Sequence, residues 1–442
     1  MSGQLDGVFA ERRARFARQM GANAVAIIAS GGEKLRNRDV DYPFRPDSDF
    51  FYLCGFPEPD AIAVIITGSS KQKPKFVMFC RPRDPERETW DGRRAGPDGA
   101  KTRYGADEAH GIDTLDRHMP DFLSNKRTVY YSWGRDDHFD ARLNSWRAAV
   151  ARKARSGTAA PQEMVAPESI LHEMRLFKDA GEVATMRRAA QISAAAHRRA
   201  MEACTPGKME YEIEAELLYE FTRHGSRAPA YGPIVGGGAN GCILHYREND
   251  APLNDGELLL IDAGAELHGY ASDITRTFPV NGRFSKEQRT IYDIVLAAQK
   301  AAIVAVKPGA HWNAPHDAAV RVLTKGLVDI GLLKGDPAKL IKDETYKKFY
   351  MHRTGHWLGM DVHDVGEYKL DGKWRPLKPG MVLTVEPGLY IPAHSKGVAK
   401  KWWNIGIRIE DDVLVTRSGR DVLSKDAPKE PDEIEALMRR AA

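Results

Sequence analysis

One pattern occurs twice in the chain. Gly256-Glu-Leu-Leu-Leu-Ile-Asp262-Ala-Gly264 matches Gly380-Met-Val-Leu-Thr-Val-Glu386-Pro-Gly388. Each copy is a glycine, an apolar run of strand length, one acidic residue, a small or cyclic residue, and a second glycine. Two buried strands with common punctuation would give such a match. So would two related half-units, each delivering a carboxylate to a shared centre. The second reading also accounts for the acid, because a carboxylate closing a buried strand is costly unless paired or metal-bound.

Further acids and histidines surround both copies. Asp273 lies in the strand-like Tyr270-Ala-Ser-Asp-Ile-Thr-Arg-Thr-Phe278. The stretch 263–269 contains two glycines and suits a hairpin connection. Antiparallel pairing would then bring Asp262 and Asp273 together, and two anions so close repel unless a cation or proton lies between them. Glu410 ends Ile405-Gly-Ile-Arg-Ile-Glu410, whose alternation predicts a half-buried strand with Arg408 and Glu410 on one face. By themselves these two also fit a salt bridge on a sheet surface. His352, His356 and His363 crowd one short segment with Gly355 and Gly359 between them, and His245 ends the apolar Cys242-Ile-Leu. Four carboxylates and an imidazole make a hard, oxygen-rich donor set, which favours manganese, cobalt or iron over a thiolate zinc site. They also carry more negative charge than one divalent ion requires, so a two-metal site fits better.

With 442 residues the chain is long for a single core, and two domains are expected. The first has α/β character. Ala24-Val-Ala-Ile-Ile28, Ala61-Ile-Ala-Val-Ile-Ile66, Lys75-Phe-Val-Met-Phe79 and Thr128-Val-Tyr-Tyr-Ser132 read as buried strands, with helix around 8–19. Residues 152–168 lack periodicity and contain two prolines, which predicts a linker or exposed loop. Helices are expected over 179–203 and 209–224, with domains 1–174 and 175–442. The four cysteines are scattered with no Cys-x-x-Cys pair, so buried free thiols are expected rather than disulfides or a thiolate metal site. A net charge of +4, spread along the chain, calls for no nucleic-acid partner. No apolar run approaches membrane-span length, and the charged N-terminal stretch lacks a secretory core, so a cytoplasmic protein is expected.

These residues, in this order, resemble the creatinase/aminopeptidase, or pita-bread, family, peptidase family M24. Within it they are most similar to the Xaa-Pro aminopeptidase (aminopeptidase P) branch. The most specific stretches are Ile261-Asp-Ala-Gly264, the run from Gly269 to Gly282, His356-Trp-Leu-Gly-Met-Asp-Val-His-Asp364, Leu383-Thr-Val-Glu-Pro-Gly-Leu-Tyr390 and Gly406-Ile-Arg-Ile-Glu-Asp-Asp412. Asp39-Val-Asp-Tyr-Pro-Phe-Arg-Pro-Asp-Ser-Asp-Phe-Phe-Tyr52 and Arg175-Leu-Phe-Lys-Asp-Ala-Gly-Glu-Val183 extend the likeness over nearly the whole chain.

The resemblance implies a creatinase-like N-terminal α/β domain and a C-terminal pita-bread domain with a pseudo-twofold repeat. It implies a metal-dependent exopeptidase acting on peptides with proline at the second position. Asp262 would hold one divalent metal, His356 and Glu386 the other, and Asp273 and Glu410 both, with Mn2+ the usual ion. A hydroxide between the metals would be the nucleophile and Glu386 its proton relay. His245, His352 and His363 would face the substrate, and Arg408 would stand beside the last ligand. The N-terminal domain would build a dimer or tetramer and close the active site, and Trp90 resembles a tryptophan that reaches a neighbouring subunit. Arg353 stands where the family usually has glycine or a similarly variable residue. The same ligands also occur in prolidase, which cleaves only Xaa-Pro dipeptides. Creatinase lacks the metal ligands that this chain retains. The fold also serves as a non-catalytic peptide-binding scaffold, the reading furthest from these residues.

Overall fold

The computed structural model describes residues 2–69 and 72–441. The chain separates into two compact units, Met1–Met174 and Arg175–Ala442.

The first unit opens with helix α1 (Ser2–Met20), longer than the periodicity alone marks. A six-stranded sheet follows, built from β1 (Ala24–Ala29), β2 (Ile62–Ile66), β3 (Lys75–Cys80), β4 (Glu108–Gly111), β5 (Thr128–Tyr130) and β6 (Glu163–Val165). The spatial order is β4-β3-β2-β1-β5-β6. The central β1–β2 and β2–β3 pairs are antiparallel and the outer pairs parallel. Val25, Ile27, Val64, Val77 and Phe79 pack from the sheet against Leu115, Met119 and Leu123 of α2 (Leu115–Leu123). Strand β6 corrects the reading of 152–168 as a linker. Its Glu163-Met-Val is too short to show a period, and parallel pairing with β5 supplies the hydrogen bonds that make it a strand.

The second unit contains two copies of one arrangement. In the first, α3 (Ala180–Ala203) and α4 (Glu210–Arg223) precede β7 (Ile234–Gly237) and β8 (Leu258–Asp262). Asp179 caps α3 in a capping box with Glu182, which is why the helix starts where the sequence marks it. After β8 the chain makes a short hairpin, β9 (Ala265–Leu267) and β10 (Tyr270–Ala271), then returns as β11 (Thr275–Pro279). Strand β8 lies between β7 and β11, with Asp262 opposite Thr275. The hairpin turn places His268 at φ 51° and Gly269 at φ 80°, the pair of left-handed residues a tight two-residue turn requires. The 263–269 bridge is therefore more than a connection, since half of a hairpin lies within it.

The second copy repeats this order. Helices α5 (Lys286–Ala305) and α6 (Ala314–Asp329) precede β12 (Val382–Val385), followed by the hairpin β13 (Gly388–Ile391)–β14 (Ile405–Arg408) and the returning β15 (Asp411–Thr416). Strand β12 pairs with β15, with Val385 opposite Asp411. The two copies thus share the order strand, acid, hairpin, acid, strand, and the sequence repeat is structural. Helices and inner sheet faces enclose one core that includes Val235, Leu259, Ile261, Phe278, Leu383 and Ile407.

Residues 405–410 are all buried, which corrects the expected half-buried strand. Gly406 allows this burial: a Cβ there would stand 2.1 Å from the Gly241 carbonyl oxygen. Cys54, Cys80 and Cys204 are buried free thiols and Cys242 is partly buried, with burial pushing the first three up to about 12. No helix among the described residues is long and apolar enough to cross a membrane.

Candidate active site and metal centre

The duplicated arrangement places an acid at each end of both hairpins. Asp262 closes β8, Asp273 precedes β11, Glu386 follows β12 and Glu410 precedes β15. His356 comes from an irregular stretch alongside β12. There the Thr384 N–H donates to the His356 carbonyl at 3.0 Å, and the Glu386 N–H donates to the Thr354 carbonyl at 2.9 Å. Such close contact requires Gly355, since a Cβ at that position would lie 2.0 Å from the Thr384 carbonyl oxygen. The glycine serves the approach of two backbones.

The side chains converge. Donor atoms of Asp273, His356 and Glu410 lie within 4.8 Å of one another. His356 Nε2 is 3.4 Å from Asp273 and 3.8 Å from Glu386. Its Nδ1 is 2.9 Å from the Trp357 carbonyl oxygen, an arrangement that places the proton on Nδ1 and leaves Nε2 with a free lone pair. Tyr231 donates to Asp262 at 2.6 Å and also reaches Asp273, linking the two acids of the first half. Thr275 donates to Glu410 at 2.6 Å. Arg408 donates to Asp262 at 2.6 Å, to Tyr390 at 3.0 Å and to Thr275 at 3.2 Å. The surface pairing of Arg408 with Glu410 does not occur; both are buried and Arg408 serves Asp262 instead.

Burial pushes Asp262 up, but the Arg408 charge and hydrogen bonds from Tyr231 and Arg408 outweigh it and leave Asp262 below the usual carboxylate range. At the other three acids the lowering groups do not outweigh burial and mutual repulsion. Burial and the Asp262 charge hold Asp273 well above its ordinary value, and burial and Asp273 do the same to Glu410. Burial and Glu410 push Glu386 up to about 8. Buried carboxylates that repel one another are stable as a set only with protons or cations among them. Oxygen donors from four acids and one imidazole nitrogen suit hard divalent cations, so the donor set fits a metal centre.

The histidines stand beside this centre. His352 Nε2 is 2.9 Å from the Tyr390 hydroxyl, and His352 Nδ1 is 3.8 Å from Glu386. Burial and the Arg408 charge press His352 down to about 3. The His363 ring lies 4.3 Å from that of His356, and burial, then His356, lowers it. His245 is exposed, close enough to His352 and His363 for its charge to lower both.

Sequence reasoning missed four contributors. Tyr231 and Thr275 bind the acids directly. His197 is buried against the Ala263 carbonyl at 3.0 Å, and burial presses it down to about 4. Buried Glu210 accepts from Gly237, Asn240, Tyr246 and Ala251, bracketing the segment that carries His245. Only Thr275, inside the Asp273-Ile-Thr-Arg stretch, carried any local signal.

Two related halves that bring four carboxylates and an imidazole to one buried centre define a metallohydrolase of the pita-bread class. Residues 184–417 match metallopeptidase family M24, and residues 9–130 match the aminopeptidase P N-terminal domain. The chain belongs to metallopeptidase family M24, as the motifs implied. It is 45% identical over 430 residues to the Xaa-Pro aminopeptidase of Escherichia coli (strain K12), covering 97% of each chain. The structure of Pseudomonas aeruginosa aminopeptidase PepP matches with a TM-score of 0.96 at 55% identity, over 99% of this chain and 98% of that one. A Zn-substituted Escherichia coli aminopeptidase P in complex with product matches with a TM-score of 0.96 at 45% identity, over 99% of both chains.

Proposed function

We propose that the chain is an Xaa-Pro aminopeptidase, a metal-dependent exopeptidase that hydrolyses the bond between a first residue and a proline in second position. One observation carries this reading: Asp262, Asp273, His356, Glu386 and Glu410 converge in a chain similar to an Xaa-Pro aminopeptidase over 97% of its length. Asp262 on one side, His356 and Glu386 on the other, and Asp273 and Glu410 between them are the residues to hold two divalent cations. Mn2+ is the first choice, with Co2+ and Fe2+ suited to the same donors. When bound, such a pair acidifies a water and stabilises the charge that develops on the scissile carbonyl oxygen.

The chain's own groups handle the proton and the substrate. Glu386 stands 3.8 Å from both His356 Nε2 and His352 Nδ1, so its carboxylate is placed to take a proton from the attacking water and return it to the proline nitrogen. His352, pressed down to about 3, stays neutral at pH 7 and can stand beside cations without repelling them. His352 gives its Nδ1 proton to the Arg353 carbonyl at 2.7 Å and takes the Tyr390 hydroxyl on Nε2, so the N–H donors for the substrate carbonyl come from His363 and His245. Arg408 acts through Asp262, holding that carboxylate ionised and aimed.

The first unit is the place for assembly into a dimer or tetramer, supported by Trp90, which is 83% exposed, an unusual position for an indole outside an interface. The protein works in the cytoplasm on peptides, with no nucleic-acid or membrane partner. Titrating the purified chain with Mn2+ against Xaa-Pro-Yaa and Xaa-Pro substrates tests the reading. Efficient cleavage of the tripeptide is expected. Cleavage of the dipeptide alone would make it a prolidase, and no hydrolysis with any metal would make it a binding module.

A further inference from the structure

In the first unit, away from the residues above in sequence and topology, a second group of donors meets. One carboxylate oxygen of Glu108 and ring nitrogens of His110 and His118 lie within 4.8 Å of one another. Glu108 and His110 are two residues apart on the edge strand β4, so both leave the same face of the sheet. His118 reaches them from α2. Glu108 Oε1 is 2.5 Å from His110 Nε2, and the two imidazole rings stack with centroids 3.9 Å apart. Lys75 of β3 pairs with the other oxygen, Glu108 Oε2, and leaves Oε1 turned toward the imidazoles.

The surroundings are aromatic. The Phe79 ring lies 5.3 Å from that of His110 and 5.9 Å from that of His118, and Phe122 lies 6.1 Å from His118. Polar donors set inside an apolar wall are characteristic of metal sites, because the wall limits competing water and holds the ligands in place. All three donors are half-buried, so an ion can arrive from solvent and keep water in its remaining positions.

We propose that Glu108, His110 and His118 form a second metal site, for one ion of the Zn2+ or Ni2+ type, which staples the edge strand β4 to α2. Two imidazoles and one carboxylate are softer donors than the four carboxylates and one imidazole of the catalytic unit, so the two sites select different metals. Lys75 neutralises the outer oxygen of Glu108, which lowers the charge the site offers an ion. This assignment is independent of the peptidase reading.

The test uses the full chain loaded with Mn2+. Wild type and a His110→Ala/His118→Ala variant are equilibrated with micromolar Zn2+, passed through gel filtration and analysed for metal content. Wild type is expected to retain one zinc per chain more than the variant, while both cleave Xaa-Pro-Yaa equally. Zinc should raise the thermal midpoint of wild type and leave that of the variant unchanged. Should the double variant fail to fold, His118→Gln serves: the Cu2+ paramagnetic resonance signal is expected to show two coordinated nitrogens in wild type and one in the variant. Equal zinc content and equal midpoint shifts, or a copper signal unaltered by His118→Gln, would overturn the proposal.

Discussion

Replacing Glu210 by glutamine keeps the shape of a side chain that touches none of the five proposed metal ligands and should still impair the enzyme. Glu210 is fully buried at the start of α4. Its Oε1 accepts from the Gly237 N–H at 2.7 Å and from Asn240 at 3.0 Å; its Oε2 accepts from the Tyr246 hydroxyl at 2.8 Å and from the Ala251 N–H at 3.0 Å. Asn240 can flip and Tyr246 can rotate, but the two backbone groups cannot. Whichever oxygen becomes the amide nitrogen, one buried N–H then faces a donor, at a cost of about 1–3 kcal/mol. The remaining bonds lose their charge, and because charge-assisted bonds are about twice as strong as neutral ones, roughly another 1 kcal/mol goes. A total near 3 kcal/mol corresponds to about a hundredfold rise in local opening of residues 237–251. Hydrogen exchange on the metal-loaded protein measures this at Gly237 and Ala251. Because the segment carries His245, kcat/KM for Xaa-Pro-Yaa should fall toward that of His245→Ala with metal content unchanged. Wild-type exchange and wild-type kcat/KM in Glu210→Gln would refute the reasoning. If His245→Ala itself were fully active, the role of His245 would be wrong and the exchange result would stand apart.

Three further outcomes follow from the geometry. Glu386→Ala should abolish hydrolysis of Xaa-Pro-Yaa with the circular dichroism spectrum unchanged; residual activity above a few per cent would remove Glu386 from the proton path. Gly355→Ala forces a Cβ against the Thr384 carbonyl, 2.0 Å away, so His356 must shift; it should cost about 1–3 kcal/mol of stability and lower the metal content, which elemental analysis reads. Burial pushes Asp364 up, but Lys178 at 2.8 Å and Arg175 at 2.7 Å outweigh it and depress its carboxyl. A depressed carboxylate contributes stability above its unfolded value of about 4 and loses it as pH falls below that through the folded value. Asp364→Asn should therefore be less stable than wild type at pH 7 and lose less on acidification below about pH 4. Parallel acid-denaturation curves would contradict this.

Much of the second unit is legible along the chain because its signals are local. The duplicated strand-acid pattern, the helix over 179–203 and the clustered histidines each act over a few residues or turns, and period and helix-boundary chemistry read them directly. The family resemblance rests on the same segments, and so do all five proposed metal ligands.

Other features depend on which segments meet in space. Arg408 finds Asp262, 146 positions away, where the alternation of 405–410 pointed to its neighbour Glu410. Tyr231 is an ordinary loop tyrosine until the hairpin brings Asp262 and Asp273 to its hydroxyl. Strand β6 exists because β5 supplies hydrogen bonds that its own three residues cannot announce. The chain by itself determined which groups carry the charge and where the repeated strands and the helices before them lie. Only tertiary structure decided which charges are neutralised and which stay repelled among buried neighbours, because ionisation depends on burial and on partners distant in sequence.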